Sequence, residues 1–419
     1  MIKSVNRELL VGLDIGAKKI ITLVGEIVDS KINIIGFGEC KSQGIDRNGI
    51  NDFDSVVDCI KNCINQAEKT AKCKINSVLL SISNKSIYAQ NETGLITIPQ
   101  EEITDKDVRN VIHTAKTVQI KNEHSILHTI PKEYIIDKKY TIKNPIGMSG
   151  IRMESNIHLI TCSKNIVQNL NKAIKKSGIN SDQMIFSGLA SSYSVLTKQE
   201  RHFGACTIDI GAENIDITIH FSNALEYSKV IPYAGNIVTK DIAYAFSISN
   251  NEAEKIKIKY GSASECDVIK NDTIEVFNVN GDVIKKIAQQ KLTEVIESRY
   301  TELLFLIKNE IIKAQEIMAI NNKNNEIRGG IILTGGGTKI DSIIPCAQKV
   351  FNNFPVRIGT PEKIIEQSII ELNKPEYSTV VGLLKYGKTK LNHIKNINNS
   401  KFSFKEMLKK MGTWLKNNF

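Results

Sequence analysis

The chain has 419 residues, 41% hydrophobic and 24% charged, which is too long for one ordinary core and enough for two or more domains. Its formal charge of +10 is concentrated at one end: residues 385–419 hold nine Lys and a single acid, Glu406, and the rest of the chain has 46 bases against 44 acids. With only eight Arg to read base edges and no evident aromatic stacking platform, nucleic acid is not an expected partner; no apolar run reaches the roughly 18–20 residues that span a bilayer, and MIKSVNRELL lacks the apolar core of a secretory signal, so a cytoplasmic body is expected.

In chain order, the first patterned segment is LLVGLDIGAKKIITLV, residues 9–24, an apolar strand, a tight turn carrying Gly16 and a second alternating strand, the signature of a β-hairpin. A second copy, GACTIDIGAENIDITI, occupies residues 204–219; aligned on Asp14 and Asp209, both contain DIGAxxI, about 195 residues apart. One strand-end Asp beside a Gly is as readily a turn former. Two copies in register predict a duplicated domain with two phosphate-facing hairpins. In each, the glycine (Gly16, Gly211) lets backbone N–H groups approach an anion, and the carboxylate (Asp14, Asp209) can order the water shell of a Mg²⁺ shared with phosphates.

Between the copies, the strand SVLLSIS, residues 77–83, is followed by some 80 residues, Asn84 to Ile160, before the helix NIVQNLNKAIKKSG. This insertion holds a helix in EEITDKDVRNVIHTAKTV, with Thr104 as N-cap, accompanied by strand patterns such as SILHTIPKEYIID and SNIHLITC. Its histidines, His113, His124, His128 and His158, are irregularly spaced and fit core or surface positions better than a metal site. The eight cysteines include no C-x-x-C and sit within patterned segments, so buried reduced thiols are expected.

Later, AEKIKIKYGSA, residues 253–263, reads as an amphipathic helix, and GGIILTGGGTKI, residues 329–340, as a strand running into Gly335, Gly336 and Gly337 with a helix opening near Asp341 or Ser342. Three glycines at a strand-to-helix turn suit close approach to a flat base or ribose, while the spacing is neither that of a Rossmann nor of a P-loop fingerprint. Beyond YSTVVGLLKYG, residues 377–387, a polar KTKLNHIKNINNS predicts a flexible linker. The closing FSFKEMLKKMGTWLKNNF, residues 402–419, places Phe404, Met407, Leu408, Met411, Trp414, Leu415 and Phe419 on one helical arc of roughly 140° flanked by Lys405, Lys409, Lys410 and Lys416, the pattern of a helix lying in lipid headgroups. Docking back onto the body is the alternative for this tail.

Two hairpins of this kind plus a late TGGG turn resemble the actin, sugar-kinase and seventy-kilodalton heat-shock ATPase superfamily. Within it, the insertion and the phrases NDFDSVVDCI, HTIPKEYIID, KNPIGMSGIRM, LASSYSVLT, KVIPYAGNIVT and ESRYTELL resemble the FtsA family of bacterial cell-division proteins along essentially the whole chain, tail included. The resemblance implies an α/β, actin-like (ribonuclease H-like, duplicated) two-domain fold with a nucleotide cleft. It places domain 1A at 1–83 and 161–203, inserted subdomain 1C at 84–160, domain 2A at 204–228 and 301–387, subdomain 2B at 229–300, a linker at 388–401 and the tail helix at 402–419.

It further implies that ATP and Mg²⁺ bind through Asp14, Gly16, Ala17, Lys18, Lys19, Asp209, Gly211, Ala212, Glu213, Asn214, Gly335, Gly336, Gly337 and Lys339, with Glu254 and Lys257 toward ribose and base. Glu254 and Lys257 equally fit a solvated helix with i,i+3 charge pairing. Arg299, Glu302 and Leu303 of ESRYTELL map onto the surface that receives the carboxy-terminal peptide of the tubulin-like protein FtsZ, although an ordinary surface ion pair would also account for Arg299. The implied role is an adaptor at the inner face of the cytoplasmic membrane at the division septum. Such an adaptor binds FtsZ and anionic lipid, self-associates, and recruits later division proteins through the insertion. A small-molecule kinase of the same fold is the alternative, and a chaperone is third, lacking its β-rich peptide-binding domain. Two departures stand out. DIGAEN brings Glu213 toward the phosphates, so that it either points away or lowers affinity; and Ser187 and Gly188 replace the Glu-Pro pair of chaperone relatives, with no other base evident, so hydrolysis is expected to be slow at most.

Overall fold

The structure, a computed structural model, describes residues 8–100, 102–117, 120–265, 272–277, 283–320, 326–352, 354–362 and 371–392. Alternating apolar residues build β1 (Leu9–Ile15), β2 (Lys19–Val28) and β3 (Lys31–Lys41) as an antiparallel meander, followed by the small ribbon β4 (Ile45–Asp46) and β5 (Gly49–Ile50). The helix α1 (Phe53–Ala71) is capped by Asp52, whose carboxylate accepts from the Ser55 amide, and buries Val56, Ile60, Cys63, Ile64 and Ala67 at helical spacing. It lies close on β3 because Gly38 has no side chain: a Cβ there would sit 2.0 Å from the Cys63 carbonyl oxygen.

After β6 (Ser77–Ile82), the insertion folds as β7 (Tyr88–Thr97), α2 (Asp105–Lys116), β8 (His124–Ile136), β9 (Tyr140–Ile142) and β10 (Arg152–Ser163), a separate sheet of order β7-β10-β8-β9. Thr104 caps α2 as predicted, in a reciprocal capping box with Asp107. Two of the histidines, His128 and His158, are buried and hydrogen-bonded. His128 Nε2 accepts from the Phe186 amide at 3.0 Å, and His158 bridges Asn91 and Ser228 at 2.7 and 2.9 Å. Then come α3 (Lys164–Lys176), β11 (Asn180–Phe186), α4 (Ser187–Val195) and α5 (Lys198–Phe203).

The second half repeats the plan with β12 (Ala205–Ile210), β13 (Ile215–Phe221), β14 (Ala224–Ile231), α6 (Gly235–Phe246), α7 (Asn250–Tyr260), the ribbon β15 (Thr273–Phe277) and β16 (Val283–Ala288), and α8 (Gln289–Ile320). It closes with β17 (Ile331–Thr334), a 3₁₀ turn at Gly336–Lys339, α9 (Ile343–Phe351), β18 (Val356–Ile358) and α10 (residues 378–392). The two main sheets run β3-β2-β1-β6-β11 and β14-β13-β12-β17-β18, each a three-stranded antiparallel meander extended by two parallel strands. The duplication read from DIGAxxI is therefore a duplication of the whole sheet.

The two units exchange helices. α4, which leaves the first sheet, packs on β12 and β13 of the second, while Val380, Val381 and Leu384 of α10 pack on Leu10, Ile21 and Leu23 of the first. They cross where Gly382 meets Ala190, so closely that a Cβ on Gly382 would lie 1.8 Å from the Ala190 carbonyl oxygen. This corrects two expectations. The segment 377–387 closes the first unit instead of the second, and the linker does not begin at 388, because α10 continues to 392 with Leu391 against the first unit's core. The expected borders at 228/229 and 300/301 likewise fall inside β14 and α8.

The inserted sheet is fastened to the second unit by a buried ion pair, Lys132 Nζ to Glu226 Oε2 at 2.6 Å with side chains 5% and 2% exposed. Asn91 Nδ2 also donates to the Glu226 carbonyl at 3.1 Å. The tail residues Phe404, Met407, Leu408, Lys409, Met411, Trp414, Leu415 and Phe419, and Cys266, lie outside the described residues. Among the described residues the other seven cysteines form no disulfide, and Cys40, Cys59 and Cys73 are only half-buried.

Candidate functional site

Between the two units lies a cavity of about 430 Å³ whose walls include Asp14, Gly16, Ala17, Lys18 and Lys19 of the first hairpin and Asp209, Gly211, Ala212, Glu213 and Asn214 of the second. Glu254 and Lys257 of α7, and Gly335, Gly336, Gly337 and Lys339 of the glycine turn, complete it. Four segments separated by up to some 320 positions thus line one space, each delivered by the end of a strand or by a helix.

The hairpins are built alike. The Gly16 amide donates to Lys19 O and the Gly211 amide to Asn214 O, both at 3.0 Å. A Cβ at either glycine would press on that same carbonyl, at 2.9 and 3.0 Å. The glycine amides expected to face an anion therefore close their own turns, and the amides at the turn tips, Ala17 with Lys18 and Ala212 with Glu213, are the ones an anion could reach.

The floor is acidic. Asp14 accepts from Ser81 Oγ at 2.6 Å; Asp209 accepts from Ser191 Oγ and from Thr379 Oγ1, the latter at 3.1 Å, which ties both exchanged helices to one carboxylate. A third carboxylate was not anticipated from the sequence: Asp216 on β13 stands directly opposite Asp209 and accepts from Ser83 Oγ at 2.6 Å. Its signal was the lone acid in the apolar strand IDITI, at the position where the first repeat has Ile21. Burial is the largest cause that raises all three above the ordinary carboxylate range, Asp14 to about 6 and Asp216 well above it, and the neighbouring carboxylates add to the rise at Asp14 and Asp216.

Toward the other end, Lys18 reaches across to Glu254 at 3.4 Å, and Lys257 pairs with Glu254 at 2.7 Å while donating to Thr239 Oγ1 and the Gly235 carbonyl. Glu213 lines the cavity and does not point away; its carboxylate accepts from Asn236 Nδ2 at 2.6 Å. Lys19 pairs with Glu39 at 3.6 Å and lies over the Tyr377 ring, and Lys339 pairs with Glu376 at 3.0 Å. In the glycine turn, Gly335 takes φ +88° and sits where a Cβ would strike Asp209 Oδ1 at 2.2 Å. Gly336 faces open space: a Cβ there would come no nearer than 3.9 Å to Glu376 Cβ.

On the outer side of the second unit, Arg299 grips Asp241 of α6 through Nε and Nη2 and Glu302 through Nη1. Leu303 does not join them. It is 2% exposed within the core, because α8 turns that position inward, and the apolar side chain that shares the Arg299 face, one helical repeat on, is Leu306 at 38% exposure. Tyr244, three residues after Asp241 on α6, is fully exposed.

Comparison with known proteins agrees with this architecture. The family model described as cell division protein FtsA matches residues 206–382, and that described as the SHS2 domain inserted in FtsA matches 84–161. The cell division protein FtsA of Buchnera aphidicola subsp. Acyrthosiphon pisum is 48% identical, covering 100% of both chains. That of Escherichia coli K12 is 46% identical over 99% of this chain and 98% of its own, and that of Pseudomonas aeruginosa 34% over 98% of each. Among solved structures, a chain of a PilM–PilN type IV pilus biogenesis complex superposes with TM-score 0.63 at 14% identity, covering 90% of this chain and 98% of that one. MreB5 of Spiroplasma citri bound to ADP gives TM-score 0.54 at 15% identity, covering 93% and 99%. The fold is actin-like with an inserted SHS2 domain, and by full-length sequence identity the chain belongs to the FtsA family of cell-division proteins.

Proposed function

We propose that the chain is a nucleotide-regulated adaptor that binds ATP with Mg²⁺ in the cleft and tethers FtsZ to the membrane. The observation that carries the reading is that every residue assigned to nucleotide from the sequence lines one cavity, above a floor of buried carboxylates with raised pKa. Asp14 and Asp209 would hold Mg²⁺ through its water shell, the turn-tip amides and Lys18 and Lys19 would meet phosphates, and the open side of Gly336 would take the flat part of the nucleotide. Bound Mg²⁺ supplies charge neutralisation for the phosphates. Asp216 is the carboxylate that could accept a proton from water, and with no Glu-Pro pair beside it hydrolysis is slow at most.

Arg299 and Glu302, with Leu306 in the place expected for Leu303, would receive the FtsZ carboxy-terminal peptide. The amphipathic tail would lie on the anionic inner face of the cytoplasmic membrane at the septum, with lysines contributing on the order of 1 kcal/mol each. Self-association would then raise membrane residence through avidity, and the inserted domain would recruit later division proteins.

Copurification of the full chain on immobilised FtsZ carboxy-terminal peptide, with and without ATP–Mg²⁺, tests the adaptor reading. Retention supports it; no retention together with robust phosphorylation of a sugar would replace it with the kinase. For the tail, Trp414 fluorescence should shift to the blue with vesicles containing anionic lipid, and an unchanged spectrum would remove the anchor.

A further inference from the structure

We infer that Tyr300 links the cleft to the Arg299 face, so that nucleotide and peptide affinities are coupled through one turn of α8; the inference rests on the peptide reading above. Two neighbouring residues of that helix point to the two sites. Tyr300 reaches inward and donates from its hydroxyl to the Gly337 carbonyl at 2.8 Å, in the glycine turn that lines the cavity. Arg299, the preceding residue, turns outward and holds Asp241 and Glu302.

The connection is stiff. Tyr300 is 2% exposed, packed in the second unit's core and itself part of the cavity wall, so a displacement of the Gly337 carbonyl acts on its hydroxyl and, through the buried ring, on the helix. The Gly337 turn also lies close on Ile210, where a Cβ on Gly337 would come within 2.5 Å of the Ile210 side chain. A second link closes the circuit. Asp241 belongs to α6, whose first residues Gly235 and Asn236 line the same cavity and whose Thr239 is bonded to Lys257.

A ligand seated on the glycine turn and on the start of α6 therefore acts on both partners of the Arg299–Asp241 pair. That pair and the Glu302 contact use three of the five N–H donors of the guanidinium, so an acidic peptide competes with these carboxylates or binds beside them through the second N–H of Nη1 and of Nη2. Nucleotide that shifts α8 against α6 changes how readily this happens, and by linkage the peptide changes nucleotide affinity by the same factor.

The test measures the affinity of the full chain for synthetic FtsZ carboxy-terminal peptide with no nucleotide and with saturating AMPPNP–Mg²⁺. The wild type should show a ratio of about five-fold or more between the two states. Tyr300→Phe keeps the buried ring and removes only the hydroxyl; its ratio should fall to about one, each protein being saturated according to its own nucleotide affinity. Tyr227→Phe removes a hydroxyl that donates to Glu310 farther along α8, and its ratio should stay at the wild-type value. A ratio of one in wild type, an undiminished ratio in Tyr300→Phe, or an equal collapse in Tyr227→Phe overturns the coupling. Absence of peptide binding in every state overturns it together with the peptide reading.

Discussion

Replacing Asp14 by Asn should stabilise the nucleotide-free protein at neutral pH. Folding moves this carboxyl from 3.8 to about 6, with burial the largest cause, the Ser81 hydrogen bond opposing it and the Asp209 charge adding to it. Between pH 4 and 6 the folded state keeps a proton that the unfolded state has released, so stability falls as pH rises through that window and remains low at 7. At 1.36 kcal/mol per pKa unit, the ionised group costs the folded protein ~3 kcal/mol at pH 7, which Asn does not incur, because its amide oxygen can still accept from Ser81. For a unit of this size that is roughly 6 °C in Tm.

The wild-type curve alone will not show this effect. His128, His158 and His220 are depressed to about 3 by burial, so the unfolded state gains protons below pH 6.5 and their contribution falls as the solution is acidified. The observable is the difference between Asp14→Asn and wild type, measured by thermal melting from pH 4 to 7.5 without nucleotide. It should be largest at pH 7 and close toward pH 4, and ATP–Mg²⁺ should raise the Tm of wild type while leaving the variant unmoved. A variant that melts at or below wild type at pH 7, or a gap that does not change with pH, would refute the assignment of a desolvated carboxylate.

Gly336→Asp should leave folding intact, since its Cβ meets nothing nearer than Glu376 Cβ at 3.9 Å, yet it would place bulk and charge in the space proposed for the flat part of the nucleotide, at a cost of about 1–3 kcal/mol, or roughly 5- to 150-fold in affinity by calorimetry. Gly382→Ala pushes a methyl to 1.8 Å from the Ala190 carbonyl where the exchanged helices cross, and should cost about 3 kcal/mol or more in denaturant unfolding. Glu226→Ala strands the buried Lys132 ammonium and should cost about 3–5 kcal/mol, whereas the double variant Lys132→Met with Glu226→Leu should recover most of that loss.

Local pattern was enough for the parts of this protein that repeat or alternate. DIGAxxI at Asp14 and Asp209 disclosed the duplication, because a strand that must end in a carboxylate beside a tight turn leaves little choice of residues. TGGG disclosed the turn for a similar reason: at Gly335 a positive φ and the carboxylate of Asp209 exclude any side chain. The tail's amphipathic arc is a reading of local periodicity alone, and its residues lie outside the described ones.

What the chain's order concealed was partnership across distance. Asp216 looked like one polar residue in a strand until pairing set it opposite Asp209, and Leu303 looked like a neighbour of Arg299 until the helix turned it inward. The exchange of α4 and α10 was likewise invisible, since an apolar helix face shows that it must be buried but not against which sheet. That choice is made by shape, at Gly382 against Ala190, where only the absence of a side chain lets two helices cross and bring Thr379 and Ser191 to the same carboxylate.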